Sequence, residues 1–420
     1  MQTKTIYFPS LEKVQTAASN LKGVASVTPL NENAQYSKKF GATILFKRED
    51  LQVVRSYKIR GAYNKMSSLV TAQREKGIVC ASAGNHAQGV ALSCKLLQIK
   101  GTIYIPSPTS NQKIEQVKMF GEDFIEIVIE GDTFDDANHA AIEACDAQNK
   151  TFIHPFNDEK VIEGQATVGL EILNQTDKKI DYVFVPVGGG GLSSGLSSVF
   201  KYLSPETKII GVEPEGAPSM STSINHKKNT LLHTIDAFVD GAAVKKVGDL
   251  NFEICLENLS DMMTVPEGKI CQTILDLYNK DAIVVEPAGA LSIAALDTYA
   301  DEIRGKNVVC IVSGSNNDIT RTAEIKERAL LFANLKHYFI IKFPQRAGAL
   351  KEFLVDILGP NDDITHFEYT KKTNRENGAA VVGLELKSSK DLAPLIVKMK
   401  ERNFFGDYLN NKPDLFQFLV

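Results

Sequence analysis

Four short segments of this 420-residue chain carry residue types that could do covalent chemistry together. The first is K-R-E-D-L-Q-V-V-R-S-Y-K-I-R-G, residues 47–61. The apolar run Ala42 to Phe46 enters it as a buried strand, and Ile59 to Ser68 leaves it with helical spacing, so Lys58 falls near a strand-to-helix turn. Arg55 and Arg60 flank that lysine, and neighbouring cations disfavour an ammonium; the neutral amine can form a Schiff base with an aldehyde. Taken alone, the stretch fits a solvated surface lysine better, because lysines are mostly exposed. The second segment, V-G-G-G-G-L-S-S-G (Val187 to Gly195), follows the strand-like Y-V-F-V-P; Gly188, Gly189, Gly190 and Gly191 let backbone N–H groups converge on an anion such as a phosphate. A plain glycine turn is the alternative. The third, A-S-A-G-N-H-A-Q-G (Ala81 to Gly89), again leads from a strand into a helix, with Ser82, Asn85, His86 and Gln88 at the turn; it suits a carboxylate and a ring hydroxyl, or is only a capped helix start. The fourth, C-I-V-S-G-S-N-N-D (Cys310 to Asp318), places the Ser313 hydroxyl at a strand end, where a capped turn would also explain it.

The elements that would position these loops alternate along the chain. Ile78 to Ala81, Thr102 to Ile105, Phe124 to Ile129, Tyr182 to Pro186, Lys208 to Glu213 and Val308 to Val312 read as buried strands, each near a segment of helical periodicity. Such alternation predicts parallel sheets covered by helices, with ligands gathered at the carboxyl ends of the strands. A helix is expected from Lys13 to Leu21 with Ser10 as its cap. Past Leu335 the pattern changes to β-α-β-β-α: strands at His337 to Phe343, Ile364 to Lys371 and Ala379 to Leu386, helices at Gly348 to Leu358 and Leu392 to Met399, and a further strand at Phe404 to Leu409. The expected organisation is therefore a catalytic domain over residues 1–335 and a small α+β domain over 336–420.

Composition favours small-molecule chemistry. With 43% hydrophobic residues the chain can bury a large core, and 47 Lys plus Arg against 51 acids leave no basic surplus for nucleic acid or an anionic membrane. The six cysteines, at 80, 94, 145, 255, 271 and 310, show no C-x-x-C spacing and read as reduced core residues. With neither a signal-peptide run nor a membrane-length apolar window, a cytoplasmic location is expected. A dinucleotide-binding oxidoreductase would need a glycine fingerprint with an acid downstream, which the chain lacks.

A lysine for an aldehyde, glycines for a phosphate, an asparagine for a phenol oxygen and a hydroxyl for a ring nitrogen together describe pyridoxal 5'-phosphate. In order and spacing, S-Y-K-I-R-G-A, S-A-G-N-H-A-Q-G, V-G-G-G-G-L and V-S-G-S-N closely resemble the fold-type II pyridoxal phosphate enzymes, α/β proteins with two open parallel-sheet subdomains, and among them the threonine dehydratases. The resemblance covers residues 1 to about 330. It implies that Lys58 carries the cofactor, that Asn85 meets its 3'-oxygen, that Gly188, Gly189, Gly190, Gly191 and Leu192 form the phosphate cup, and that Ser313 faces the pyridine nitrogen. It further implies that the N–H groups of Ser82, Ala83, Gly84, Asn85 and His86 take the substrate carboxylate, with Asn157 near the ring.

A neutral hydroxyl at Ser313 does not favour a protonated pyridine, so the cofactor would be a weaker electron sink, which suits β-elimination over transamination. The implied reaction converts L-threonine to 2-oxobutanoate and ammonia, with L-serine as a secondary substrate. Serine racemases of the family carry a serine where Ala83 stands, so racemisation is disfavoured. Glu213 and Ala217 match positions that hold a divalent cation in some relatives, but Ser219 replaces an acid there, and no essential metal is expected. Residues 337–420, with F-P-Q-R-A-G-A-L (Phe343 to Leu350), resemble the ACT-like regulatory domain of biosynthetic threonine dehydratases. That implies L-isoleucine as inhibitor, L-valine as a possible second effector, and a homo-oligomer, tetramer or dimer. A catabolic dehydratase indifferent to isoleucine, or a catalytically silent amino-acid sensor, are the competing readings.

Overall fold

Long apolar runs bounded by glycine-rich turns become the buried strands of this computed structural model, which describes residues 7–369, 377–412 and 415–416. The chain divides into two compact units between Ile319 and Thr320. In the first unit the described strands are β1 Leu30–Glu32, β2 Thr43–Arg48, β3 Ile78–Ala81, β4 Gly101–Ile105, β5 Ile125–Ile129, β6 Thr151–Phe152, β7 Tyr182–Pro186, β8 Lys208–Pro214, β9 Asp261–Val265 and β10 Asn307–Val312. They form one sheet in the order β1-β2-β10-β7-β8-β9 and another in the order β5-β4-β3-β6. All pairs are parallel except β1 with β2, as expected where helices cross back between strands.

In the six-stranded sheet β10 lies between β2 and β7, with Cys310 level with both Phe46 and Phe184. The carboxyl ends of β2, β7 and β10 therefore open on one side, and from them run the Lys58 segment, the glycine loop and the Ser313 loop. The four-stranded sheet contributes the end of β3, where Ser82 follows Ala81. Parallel topology thus gathers all four segments, because each chemistry-bearing loop follows a strand and precedes a helix.

Three differences from the sequence reading have physical causes. The strands β1, β6 and β9 were not expected; β1 and β6 are only three and two residues long, too short for a periodicity signal. β5 is an edge strand, not a buried one, and Ile129 is 55% exposed. The helix expected from Gly348 runs from Ala349 to Glu352 and continues as a wider π-turn over Phe353–Ile357. The first helix, Leu11–Asn20, begins two residues before Lys13, directly after the expected Ser10 cap, whose side chain accepts from the Lys13 N–H. All six cysteines are buried and free.

The second unit is an antiparallel sheet in the order β12-β13-β11-β14, from β11 Lys336–Pro344, β12 Asp363–Tyr369, β13 Asn377–Glu385 and β14 Phe405–Tyr408. The strand expected to reach Lys371 is described as far as Tyr369, and its last two residues lie outside the described residues. Phe339, Ile341, Phe343, Phe353, Val382 and Phe404 centre a core of the unit's own. The unit also takes in the helix Thr322–Phe332. No helix among the described residues is long and apolar enough to cross a membrane.

Candidate active site

Lys58 is the first residue of the helix Lys58–Ser67, and two sets of contacts hold it there. On one side, the Tyr57 N–H donates to the Ser313 carbonyl at 3.3 Å and the Ser315 N–H to the Arg55 carbonyl at 2.9 Å, tying the segment before Lys58 to the loop after β10. On the other, Arg60, 1% exposed, pairs with Glu49 at 2.8 Å and with Glu171 at 2.6 Å. A buried guanidinium needs both carboxylates, and the pairing anchors the helix start against its neighbours.

The Lys58 Nζ donates to the Pro155 carbonyl at 2.9 Å. Burial pushes its pKa down to about 8, partly offset by the Glu286 carboxylate. The direction matches the sequence reading but the cause differs: Arg55 is exposed and Arg60 is neutralised by its two partners, so loss of hydration does what flanking cations were expected to do. The same burial, followed by the field of Lys58, lowers His86 to about 3 and His154 to about 4. Both rings are neutral near pH 7. His86 Nε2–H donates to the Ile153 carbonyl at 2.8 Å, and His154 Nδ1 accepts the Asn157 N–H at 2.8 Å.

A cavity of about 720 Å³ joins Lys58, the residues Ser82 to His86, the stretch Gly188 to Leu192, Phe156 and Glu286. The glycine loop enters it as the start of the helix Gly191–Leu203, whose first turn has no side-chain cap. The chain can pass there only as glycine: Gly190 has φ +91°, and a Cβ on Gly189 would sit 2.3 Å from the Phe156 ring. Its uncapped N–H groups at a helix start suit a phosphate. Ser313, 3% exposed, lines a water-sized hollow of about 10 Å³ beside the cavity, together with Lys58, Asn85 and Glu286.

Two acids here escaped the sequence reading or changed meaning. Glu286, 4% exposed, precedes the helix Pro287–Ala294 and accepts from Asn85 Nδ2 at 2.7 Å. Burial raises it to about 7, Asp240 adding to the rise, while Asn85, Lys113 and the Asn316 N–H lower it. The available signal was a lone acid after the apolar Ile283 to Val285 and just before a proline. Glu213 accepts from the Met220 N–H at 2.6 Å, the Ser221 N–H at 2.9 Å and the Ser221 hydroxyl at 2.7 Å, so its oxygens serve the start of the helix Ser219–Asn225. The Ser219 hydroxyl donates to the Val244 carbonyl. Among the described residues no group of three or more His, Cys, Asp or Glu is placed to hold a metal. Asn157, expected near the ring, follows the cavity-lining Phe156. It does not line the cavity; its Oδ1 accepts from the Leu250 N–H at 3.0 Å.

The residues present fit pyridoxal phosphate: a buried amine, an uncapped glycine-walled helix start, and the Asn85 amide lining the same cavity as both. A reactive amine facing an anion cradle at the ends of parallel strands defines the class, a fold-type II pyridoxal phosphate enzyme. Residues 21–314 match the family described as pyridoxal-phosphate dependent enzyme, and residues 327–419 match the C-terminal regulatory domain of threonine dehydratase. The chain is 53% identical over 410 residues to the biosynthetic L-threonine dehydratase IlvA of Halalkalibacterium halodurans, spanning 98% of this chain and 99% of that protein. Against the protein of the same name from Bacillus subtilis the identity is 54%, spanning 98% and 97%. A solved structure of processed threonine deaminase isoform 2 from Solanum lycopersicum superposes with a TM-score of 0.71 at 38% identity, covering 78% of this chain and 97% of that one. The chain therefore belongs to the pyridoxal-phosphate dependent enzymes, in the branch that carries a threonine dehydratase regulatory domain.

Proposed function

We propose that this chain is a biosynthetic threonine dehydratase, which deaminates L-threonine to 2-oxobutanoate and ammonia at the start of isoleucine formation. One observation carries the reading at the site: the Lys58 amine, the Gly188 to Leu192 helix start and the Ser82 to His86 loop open into a single cavity. When bound, pyridoxal 5'-phosphate supplies the electron sink that acidifies the substrate's α-carbon proton and allows the β-hydroxyl to leave.

The chain's own groups do the rest. Lys58 would hold the cofactor and would take the substrate's α-proton at Nζ; a pKa near 8 supports this, since the amine is then partly free at neutral pH. Gly188, Gly189, Gly190, Gly191 and Leu192 hold the phosphate. Ser82, Ala83, Gly84, Asn85 and His86 would take the substrate carboxylate on backbone N–H groups, Asn85 would also meet the cofactor's phenolic oxygen, and Ser313 would face its ring nitrogen. His86 and His154, both neutral, add no charge that would compete with Lys58 for the proton.

The C-terminal domain, expected over 336–420, binds L-isoleucine and lowers threonine turnover, with L-valine as a further effector. Paired copies of that domain within a homo-oligomer would carry the response, in the cytoplasm, and L-serine is a weaker substrate. The test is 2-oxoacid release against L-threonine concentration, with and without L-isoleucine, beside Lys58→Ala. Turnover that isoleucine suppresses, together with a colourless and inactive Lys58→Ala, is expected. A coloured, active Lys58→Ala removes the site reading, and turnover indifferent to isoleucine removes the regulatory one.

A further inference from the structure

Glu286 has no role in the reading above, yet it touches two of the four loops, the Asn85 segment and the Ser313 segment. Its Oε1 accepts from Asn85 Nδ2 at 2.7 Å, its backbone N–H donates to the Gly314 carbonyl at 3.2 Å, and its carboxylate receives the Asn316 N–H. Gly314 is a glycine for this reason: a Cβ there would lie 2.3 Å from Glu286 Oε1. Both cavities that contain Lys58 are also lined by Asn85 and Glu286.

An amide side chain has two faces of different chemistry, and rotation by half a turn exchanges its donor for its acceptor. In this site Asn85 Oδ1 is buried and unpartnered, so nothing on the oxygen side holds the orientation. What holds it is Glu286, whose ionised form only accepts and would repel a carbonyl oxygen turned toward it. We propose that Glu286 is a positioning residue: its carboxylate fixes the Asn85 amide with Nδ2 as the paired atom and leaves the second Nδ2 hydrogen for the cofactor's phenolic oxygen. This inference rests on the Asn85 role given under the proposed function.

The experiment uses the full-length holoenzyme and three variants, Asn85→Ala, Glu286→Ala and the double substitution. It reads the visible absorbance of the bound cofactor and the cofactor's Kd from titration of the apoenzyme. Asn85→Ala is expected to displace the band and weaken cofactor binding about tenfold, Glu286→Ala to do the same, and the double variant to fall within about threefold of either single one, since groups in one chain of contacts do not act additively. A Glu286→Ala spectrum equal to the parent's, or multiplying losses in the double variant, overturns the proposal. If Glu286→Ala does not fold, Glu286→Asp keeps the charge and withdraws the oxygen, and an undisplaced band there overturns it too. An Asn85→Ala band like the parent's removes the Asn85 role and this proposal with it. A coloured parent that turns over threonine but has additive variants removes only the role of Glu286.

Discussion

At the scale of single residues, the site works by withholding water. Lys58, His86, His154 and Glu286 all shift toward their neutral forms, and in each the largest cause is burial. For Lys58 the sign of the pH dependence follows directly. The folded pKa, about 8, lies below the usual 10.5, so between those values the unfolded chain binds a proton that the folded chain does not. The apoenzyme therefore gains stability as pH rises from about 8 to about 10.5, and below that window the cost of the buried ammonium is constant. The same equilibrium supplies the free amine. Cofactor capture by the apoenzyme should quicken about tenfold from pH 7 to pH 9 and then level off, since each unit below the pKa cuts the neutral fraction by about ten. Stopped-flow absorbance after mixing with pyridoxal phosphate measures it, and a rate still climbing at pH 10 would show an unshifted lysine.

At the scale of elements, the loops differ in how tightly the fold holds them. Gly190 sits at φ +91°, and a Cβ there would lie 2.8 Å from both Asn251 Cβ and Met220 Cε; Gly84 has φ −130° and nothing within 4 Å. Gly190→Ala is expected to cost about 1–3 kcal/mol, from overpacking and a left-handed backbone, and to weaken phosphate binding. Gly84→Ala should cost less than Gly190→Ala in a denaturant melt, because its φ is negative and an added methyl group meets no atom within 4 Å. The contrast also shows what could be read in advance. Four consecutive glycines after a β-run announced a special turn, and the strand ends Ala81 and Pro186 fell at the expected residues, because apolar runs stop sharply at polar or glycine-rich turns. Glu286 was not legible: its meaning depends on Asn85 and Gly314, which are distant in sequence and meet only in the folded sheet order. The cause of the Lys58 shift was equally hidden, since Arg60 lies two residues away in sequence but is already paired with Glu49 and Glu171.

At the scale of the whole molecule, the two compact units have separate cores. The buried cluster of the second unit runs from Phe339 to Phe404, whereas the clusters around β3 and β7 lie wholly within the first. Separate cores allow separate melting, and a ligand stabilises only the unit whose folded form binds it. Two ligands with different expected sites therefore label the two units. Saturating pyridoxal phosphate should raise the transition of residues 1–319, and L-isoleucine at a hundred times its Kd should stabilise residues 320–420 by about 2.7 kcal/mol. For a unit of about a hundred residues that is a rise of the order of 10 °C or more in Tm, readily resolved by scanning calorimetry of the full chain. If isoleucine moved the transition assigned to the catalytic unit and left the other in place, the effector would be binding among the threonine-handling loops as a substrate analogue. Inhibition would then be competition at the cavity, and the C-terminal unit would have lost its claim to the regulation.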